Sequence, residues 1–370
     1  MTTRVTIKDV ARHSGVSIKT VSNVINGTGS MRDSTRKRVQ DSIRELGYMI
    51  NVSARSLKTG ATKLIGLGIF DFSQPFAPYL ADKVIDISRK HGYGTVISTY
   101  GSDGSGLPVI MDEITKLSAD GWLLFSDQPL KNGGIILDQP YPIVLAGDYN
   151  SYDRVDWVTM PNTRAIRYVT GRLLDMGCRH IAVFGAPEKS KTRNEYMCAT
   201  EGLQELRIRG YIEAFEERGL PVDWRMLLPK DWMEGVSGVQ AVTQMLSRGI
   251  RPDAIICLTD AMALGALHGL QNEGIRIPED VQVVGFDDVP ESSYSTPSLT
   301  TIDPCLNDYV EHAIDMLIER IHGYKGKSRT FVTDFRLVER DSTLAFPTEK
   351  HTVAIAATNR AVGARPLNVI

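Results

Sequence analysis

The chain has 370 residues, 42% hydrophobic and 23% charged, the balance of a soluble globular protein with enough apolar material for more than one core. No run of 18 apolar residues occurs, which excludes a membrane-spanning helix. The amino terminus opens on a charged amphipathic segment rather than an apolar signal, so a cytoplasmic location is expected. The four cysteines and seven histidines are scattered, with no CxxC or HExxH spacing, and no disulfide framework, metal site or cofactor is expected.

The net charge of −2 conceals an asymmetry. Residues 1–60 carry eleven Lys/Arg against four Asp/Glu, while the remainder is acidic. A basic segment on an acidic body points to a polyanionic partner for the first sixty residues. Thr6 and Asp9 have the spacing of a capping box and predict a helix through Val10 and Ala11 to the stop at Gly15. Ser17 then caps a second helix running to Asn26, and the short connection is that of a helix-turn-helix. On that helix Val21, Val24 and Ile25 form an apolar face. Ile18, Lys19, Ser22 and Asn23 share the opposite one. Such a face suits the major groove: lysine donates to guanine, asparagine pairs with adenine, and isoleucine meets a thymine methyl. A third helix is predicted over about Ser34–Leu46, with Val39 and Ile43 facing the small core and Arg32, Arg36, Lys37, Arg38 and Arg44 free for phosphates.

From Leu64 the pattern becomes apolar runs alternating with helical segments. Leu64–Phe70, Val96–Ile97, Trp122–Phe125 and Ile143–Ala146 form one series of strands; Ile181–Phe184, Ala254–Leu258 and Val281–Val284 form a second. Runs of this length between helices predict two parallel sheets covered on both faces, with a ligand cleft beyond their carboxyl ends. Gly66-Leu-Gly68 lacks the third glycine of a dinucleotide loop, Asp71 standing in its place.

The segment Thr6-Ile-Lys-Asp-Val-Ala-Arg-His-Ser-Gly-Val-Ser-Ile-Lys-Thr-Val-Ser-Asn-Val-Ile-Asn26, with Thr35-Arg36 through Tyr48 and Asn51-Val-Ser-Ala-Arg-Ser-Leu57, resembles the amino-terminal signature of the lactose-repressor (LacI/GalR) family. Thr259–Ala266, Ile277–Pro290 and Thr296–Ile302 extend the likeness across residues 5–345. The resemblance implies a small all-α helix-turn-helix headpiece (1–48), a hinge (49–61) and an α/β core (62–345) similar to periplasmic sugar-binding proteins. That core would consist of two doubly wound parallel-sheet subdomains, 62–162 with 304–326 and 163–303 with 327–345. Three crossovers are expected near 161–164, 289–304 and 324–331, and 346–370 is expected to be a disordered tail.

For function, the resemblance implies a transcriptional repressor that binds operator DNA as a homodimer under control of a sugar or sugar derivative. Thr6, Ser17, Ile18, Lys19, Thr20, Ser22, Asn23 and Asn26 fall at DNA-contacting positions. Ala54 and Leu57 fall where the hinge wedges into the minor groove. Phe76, Asp148, Arg207, Trp232, Thr259, Phe286 and Asp287 fall in the effector pocket, where carboxylates accept from ligand hydroxyls and arginine donates in a fixed fork. Several places depart from the family pattern: Thr259 replaces a common asparagine, Pro304 stands at an often polar position, Arg32-Asp33 replaces the serine before the third helix, and the 187–205 stretch, with Lys189, Lys191 and Arg193, is longer than the family usually has there, which leaves an acidic or phosphorylated ligand open beside a sugar. No nucleophile–base pair accompanies the pocket, so an enzyme is not expected. A transport-type sugar-binding protein and a sugar-directed enzyme are the alternative readings.

Overall fold

The computed structural model describes residues 5–49, 60–101, 106–130, 135–189, 191–230 and 233–347. The expectations for Ala54, Leu57 and Trp232 lie outside these residues.

The headpiece consists of α1 (Ile7–Ser14), α2 (Ile18–Ile25) and α3 (Asp33–Glu45). At the start of α1 the Asp9 carboxylate accepts from the Thr6 backbone N–H at 2.9 Å and the Thr6 hydroxyl at 2.6 Å. Gly15 ends the helix in the left-handed region at φ 64°, a conformation that costs glycine little. Ser17 Oγ accepts the Thr20 N–H at 3.1 Å and so caps α2. Helix α3 begins at Arg32 without a side-chain cap, and Asp33 in its first turn supplies a charge favourable to the helix dipole instead. Val10, Val21 and Val39 are fully buried where the three helices meet.

The core contains two six-stranded sheets. The first has the order β11-β5-β4-β3-β1-β2, from β1 (Leu64–Ile69), β2 (Gly94–Thr99), β3 (Gly121–Ser126), β4 (Ile143–Gly147), β5 (Asp156–Thr159) and β11 (Thr330–Val332), all parallel. The second has the order β12-β10-β9-β8-β6-β7, from β6 (Ile181–Ala186), β7 (Leu227–Pro229), β8 (Ala254–Cys257), β9 (Gln282–Phe286), β10 (Thr300–Asp303) and β12 (Arg336–Val338), with only β12 antiparallel. Alternation along the second sheet feeds two apolar layers. Ile181, Val183 and Ile256 pack with α6 (Asn162–Asp175) and α8 (Leu203–Glu216). Ala182, Phe184 and Ile255 pack with α9 (Gly235–Ser247) and α10 (Asp260–Asn272). These last two helices meet closely: a Cβ at Gly265 would lie 1.8 Å from the Gly235 carbonyl oxygen, so the contact admits only glycine. The first sheet is covered by α4 (Phe76–Lys90) and α11 (Leu306–Ile321), with α5 (Met111–Leu117) and α7 (Arg193–Met197) completing the helices.

Two expected boundaries move. Strand β11 pairs with β5 (Thr330 opposite Trp157), so residues 327–332 belong to the first subdomain, and the third crossover lies at 333–335 rather than 324–331. The tail also begins later than 346. Phe346 is buried beneath the Arg172 guanidinium, which donates to the Pro347 carbonyl at 2.7 Å.

Candidate effector cleft and DNA-reading face

Ser17, Ile18, Lys19 and Asn26 are exposed along α2, with Thr20, Ser22 and Asn23 half-buried beside them. Ile18 presents 45% of its surface to solvent on a helix whose Val21 and Val24 are buried in the headpiece core. The polar side chains hold one another in place. Ser17 and Thr20 hydroxyls are 2.9 Å apart, and Asn26 Nδ2 donates to Ser22 Oγ at 3.3 Å. Asn23 lies against Gly29, where a Cβ would come within 2.8 Å of its Nδ2. Thr6 is also exposed, at the start of α1.

The cleft between the subdomains holds a cavity of about 330 Å³, within the ~300–1,000 Å³ of small-molecule sites. Three of its walls are built by one device: β3, β4 and β9 each run out of the sheet into an aspartate, Asp127, Asp148 and Asp287. Asp148 Oδ1 accepts from Thr159 Oγ1 at 3.0 Å and Asn162 Nδ2 at 2.7 Å. Asn162 Oδ1 in turn accepts from Arg207 Nε at 2.7 Å, while Arg207 Nη1 donates to the Leu258 carbonyl. The Arg207 side chain is 1% exposed and its guanidinium lies 3.4 Å over the Phe286 ring. Burial lowers the arginine pKa, and the surrounding Asp287, Asp148 and Asp260 oppose that effect. Burial pushes the Asp287 carboxyl well above the usual carboxylate range despite the nearby Arg207. Its backbone is strained at φ 126°.

Of the expected pocket residues, Phe76, Asp148, Arg207, Thr259 and Asp287 line the cavity. Phe286 does not; it is fully buried and supports Arg207 from beneath. The Thr259 hydroxyl is committed within the protein, donating to the Met233 carbonyl at 3.0 Å and accepting the Met262 N–H at 3.3 Å as the cap of α10. The neighbouring Asp260 turns away from the cavity. It accepts from Ser292 Oγ at 2.7 Å, Val289 N–H at 3.0 Å and Thr301 Oγ1, which ties down the turn Pro290–Ser293 before β10, and burial raises its pKa to about 6.

Sequence reasoning missed Phe70, Gln74, Phe125, Asp127, Gln128, Tyr149 and Gln204 in the lining. Asp127 carried a legible signal, because it follows an apolar strand just as Asp148 and Asp287 do. Tyr100 donates to both the Phe125 carbonyl and Asp127 Oδ1, each at 2.9 Å, and burial raises the Asp127 pKa. The lysines of the 187–205 stretch do not enter the cavity. Lys191 pairs with Glu205 at 2.5 Å and Lys189 is exposed.

Among the described residues no group of histidine, cysteine or carboxylate side chains is arranged to hold a metal ion, and no helix is long and apolar enough to cross a membrane.

Residues 6–51 match the bacterial regulatory proteins of the lacI family, and residues 170–343 match a periplasmic binding protein-like domain. The catabolite control protein A of Priestia megaterium is 31% identical over 92% of this chain and 99% of its own. A LacI-type transcription regulator from Bifidobacterium animalis subsp. lactis is 55% identical, with a TM-score of 0.74 over 76% of this chain and all of its own. The regulator CelR in complex with cellobiose is 28% identical (TM-score 0.65), and the Lac repressor dimer bound to operator and the anti-inducer ONPF is 25% identical (TM-score 0.76). Each of these two covers 92% of this chain and all of its own. The chain belongs to the LacI family of bacterial transcription regulators and is a ligand-responsive, DNA-binding protein rather than an enzyme.

Proposed function

We propose that this protein is a sugar-responsive repressor that acts in the cytoplasm as a homodimer on a pseudo-palindromic operator. The observation that carries the reading is the cavity of about 330 Å³ set between two subdomains, its aspartates at strand ends on both sides. A ligand bridging both walls binds one relative orientation of the subdomains better than another. Such a ligand shifts the equilibrium between those orientations. In this reading Ile18, Lys19 and Asn23 read base edges, while Thr6, Ser17, Thr20, Ser22 and Asn26 set the helix against the backbone and neighbouring edges. The eleven basic residues of the first sixty supply the phosphate contacts.

Coupling passes through the exit of the hinge. The Asp120 carboxylate, just before β3, accepts from Thr62 N–H at 2.6 Å, Thr62 Oγ1 at 2.8 Å and Lys63 N–H at 2.9 Å. The first sheet thereby holds the chain emerging from residues 50–59, and a movement of that subdomain is delivered to the segment carrying Ala54 and Leu57. Likeness to a repressor dimer bound to operator supports the dimer, and likeness to a cellobiose complex supports a sugar. The test is operator selection from genomic fragments by the full chain, followed by titration of the selected duplex with and without a sugar panel. A palindromic site bound by two chains, with affinity changed by a sugar, is expected. Single-chain binding, or turnover of any sugar in the panel, refutes the proposal.

A further inference from the structure

We infer that Gly29, in the loop joining α2 to α3, is a positioning residue for base recognition: its bare Cα is the stop against which the Asn23 amide rests, and that stop sets how strongly Asn23 prefers one base. The inference deepens the reading of Asn23 as a base-reading side chain and rests on it. At the end of α2 the chain folds back over the helix, with Asn26 N–H donating to the Ser22 carbonyl at 3.0 Å, Gly27 N–H to that of Val24 at 3.3 Å and Thr28 N–H to that of Asn23 at 2.9 Å. Gly27 and Gly29 make this reversal in the left-handed region, at φ 67° and 80°. They differ in what they face. A Cβ at Gly27 would meet nothing within 4 Å, whereas the three atoms nearest a Cβ at Gly29 all belong to Asn23: Nδ2 at 2.8 Å, Cγ at 3.3 Å and Cβ at 3.5 Å. The turn accounts for a glycine at both positions; the close approach to Asn23 belongs to the second alone.

Contact matters here because no hydrogen bond within the headpiece orients this amide. Asn26 Nδ2 donates to Ser22 Oγ at 3.3 Å, but neither amide atom of Asn23 has a protein partner among the described residues. The terminal torsion of an asparagine is broad and roughly two-fold, so an unrestrained amide samples many orientations. Bidentate pairing with adenine requires donor and acceptor together in the plane of the base, and a rotated amide keeps at most one of the two bonds. Gly29 closes one side of that range and leaves Asn23 half-buried on the outer face of α2, where Ile18 and Lys19 are exposed. A methyl group at residue 29 would sit well inside the ~3.5–4.0 Å of a relaxed contact. The atom in its way is the end of a side chain rather than backbone, so the amide moves and the loop does not. The cost therefore falls on recognition, beyond the strain that any left-handed alanine carries.

The experiment measures binding of the full-length protein to its selected operator and to every single-base variant of that operator, for Gly27→Ala, Gly29→Ala, Asn23→Ala and the double variant Asn23→Ala with Gly29→Ala. Gly27→Ala carries the left-handed strain without the contact, and is expected to weaken all duplexes by a common factor and keep their order. Gly29→Ala is expected to cut discrimination about 10-fold at the same base pair that Asn23→Ala relaxes, and to leave the other positions in order. In the Asn23→Ala background it should change no preference further, because the side chain it displaces is gone. Gly29→Asn, which accepts a positive φ more readily than alanine, repeats the test with less strain on folding. Uniform weakening by both residue 29 variants, the same shift from Gly27→Ala, or a shift that persists without Asn23 overturns the inference and leaves Asn23 as a reader of bases. An unchanged preference at every position in Asn23→Ala overturns both.

Discussion

Replacing Arg207 by methionine removes a charge from the most enclosed part of the cleft while keeping an unbranched side chain. Arg207 is 1% exposed and holds Asn162 Oδ1 at 2.7 Å and the Leu258 carbonyl, with its guanidinium 3.4 Å over Phe286. The substitution strands two buried acceptors, abolishes the stacking and withdraws the positive charge facing Asp287 and Asp148. Removing one partner of a buried charged set costs about 3–5 kcal/mol. Asp287, whose carboxyl is already pushed up by burial, answers by binding a proton, which keeps the loss within that range rather than above it. For a domain of this size the loss corresponds to a fall in thermal midpoint of roughly 10 °C. Scanning calorimetry of the ligand-free protein reads this directly. An unchanged or raised midpoint refutes the reasoning, because an arginine kept solely for the ligand is a burden on the empty protein and its removal is neutral or stabilising.

Other substitutions separate reading, coupling and stability. Lys19→Ala or Asn23→Ala should each cost about 1–3 kcal/mol of operator binding and relax preference at one base position, checked by binding to a library of operator variants. Uniform weakening across the library rejects direct readout. Asp120→Ala frees Thr62 and Lys63 at the hinge exit; calorimetry should find the sugar affinity within about twofold, while the ligand-induced change in operator affinity, an effect typically of ~1–3 kcal/mol, largely disappears. An intact ligand response rejects the coupling route. Asp260 has a pKa raised to about 6 from an ordinary 3.8, so the native state keeps a proton that the unfolded chain has released. Its stabilising contribution is complete below pH ~4 and is lost as pH rises through 6, a fall of ~3 kcal/mol at most. Urea midpoints should show that fall in the wild type and a flatter profile in Asp260→Asn; equal slopes contradict it.

The headpiece was legible because each instruction is local. Ser17 caps, Gly15 stops and Val21 packs within a few residues of one another, so the pattern itself carries the geometry. The central strands were legible as continuous apolar runs. Strand β11 was not: its three residues are exposed or half-buried at a sheet edge, and nothing in Thr330-Phe-Val332 tells which sheet it joins. The pocket shows the same division. Asp148 and Asp287 were found by looking just beyond apolar strands, and that rule applied to Trp122–Phe125 yields Asp127 as well. Phe286 was misplaced because its position depends on which face of β9 meets Arg207, a fact set by a residue 79 positions away in sequence. Thr259 has the right place, but its hydroxyl is claimed by the Met233 carbonyl, a partner that no local pattern announces.

The account's central claim is that ligand sensing in the cleft and DNA reading in the headpiece are separate functions joined by a movement. Asp287→Ala tests it most directly, with operator affinity measured by fluorescence anisotropy in the absence and presence of the wild-type protein's effector at saturating concentration. The account predicts unliganded operator affinity within about twofold of wild type, with the ligand-induced change, typically ~1–3 kcal/mol, abolished. An undiminished ligand response, or loss of operator binding without ligand at an unchanged thermal midpoint, would contradict it.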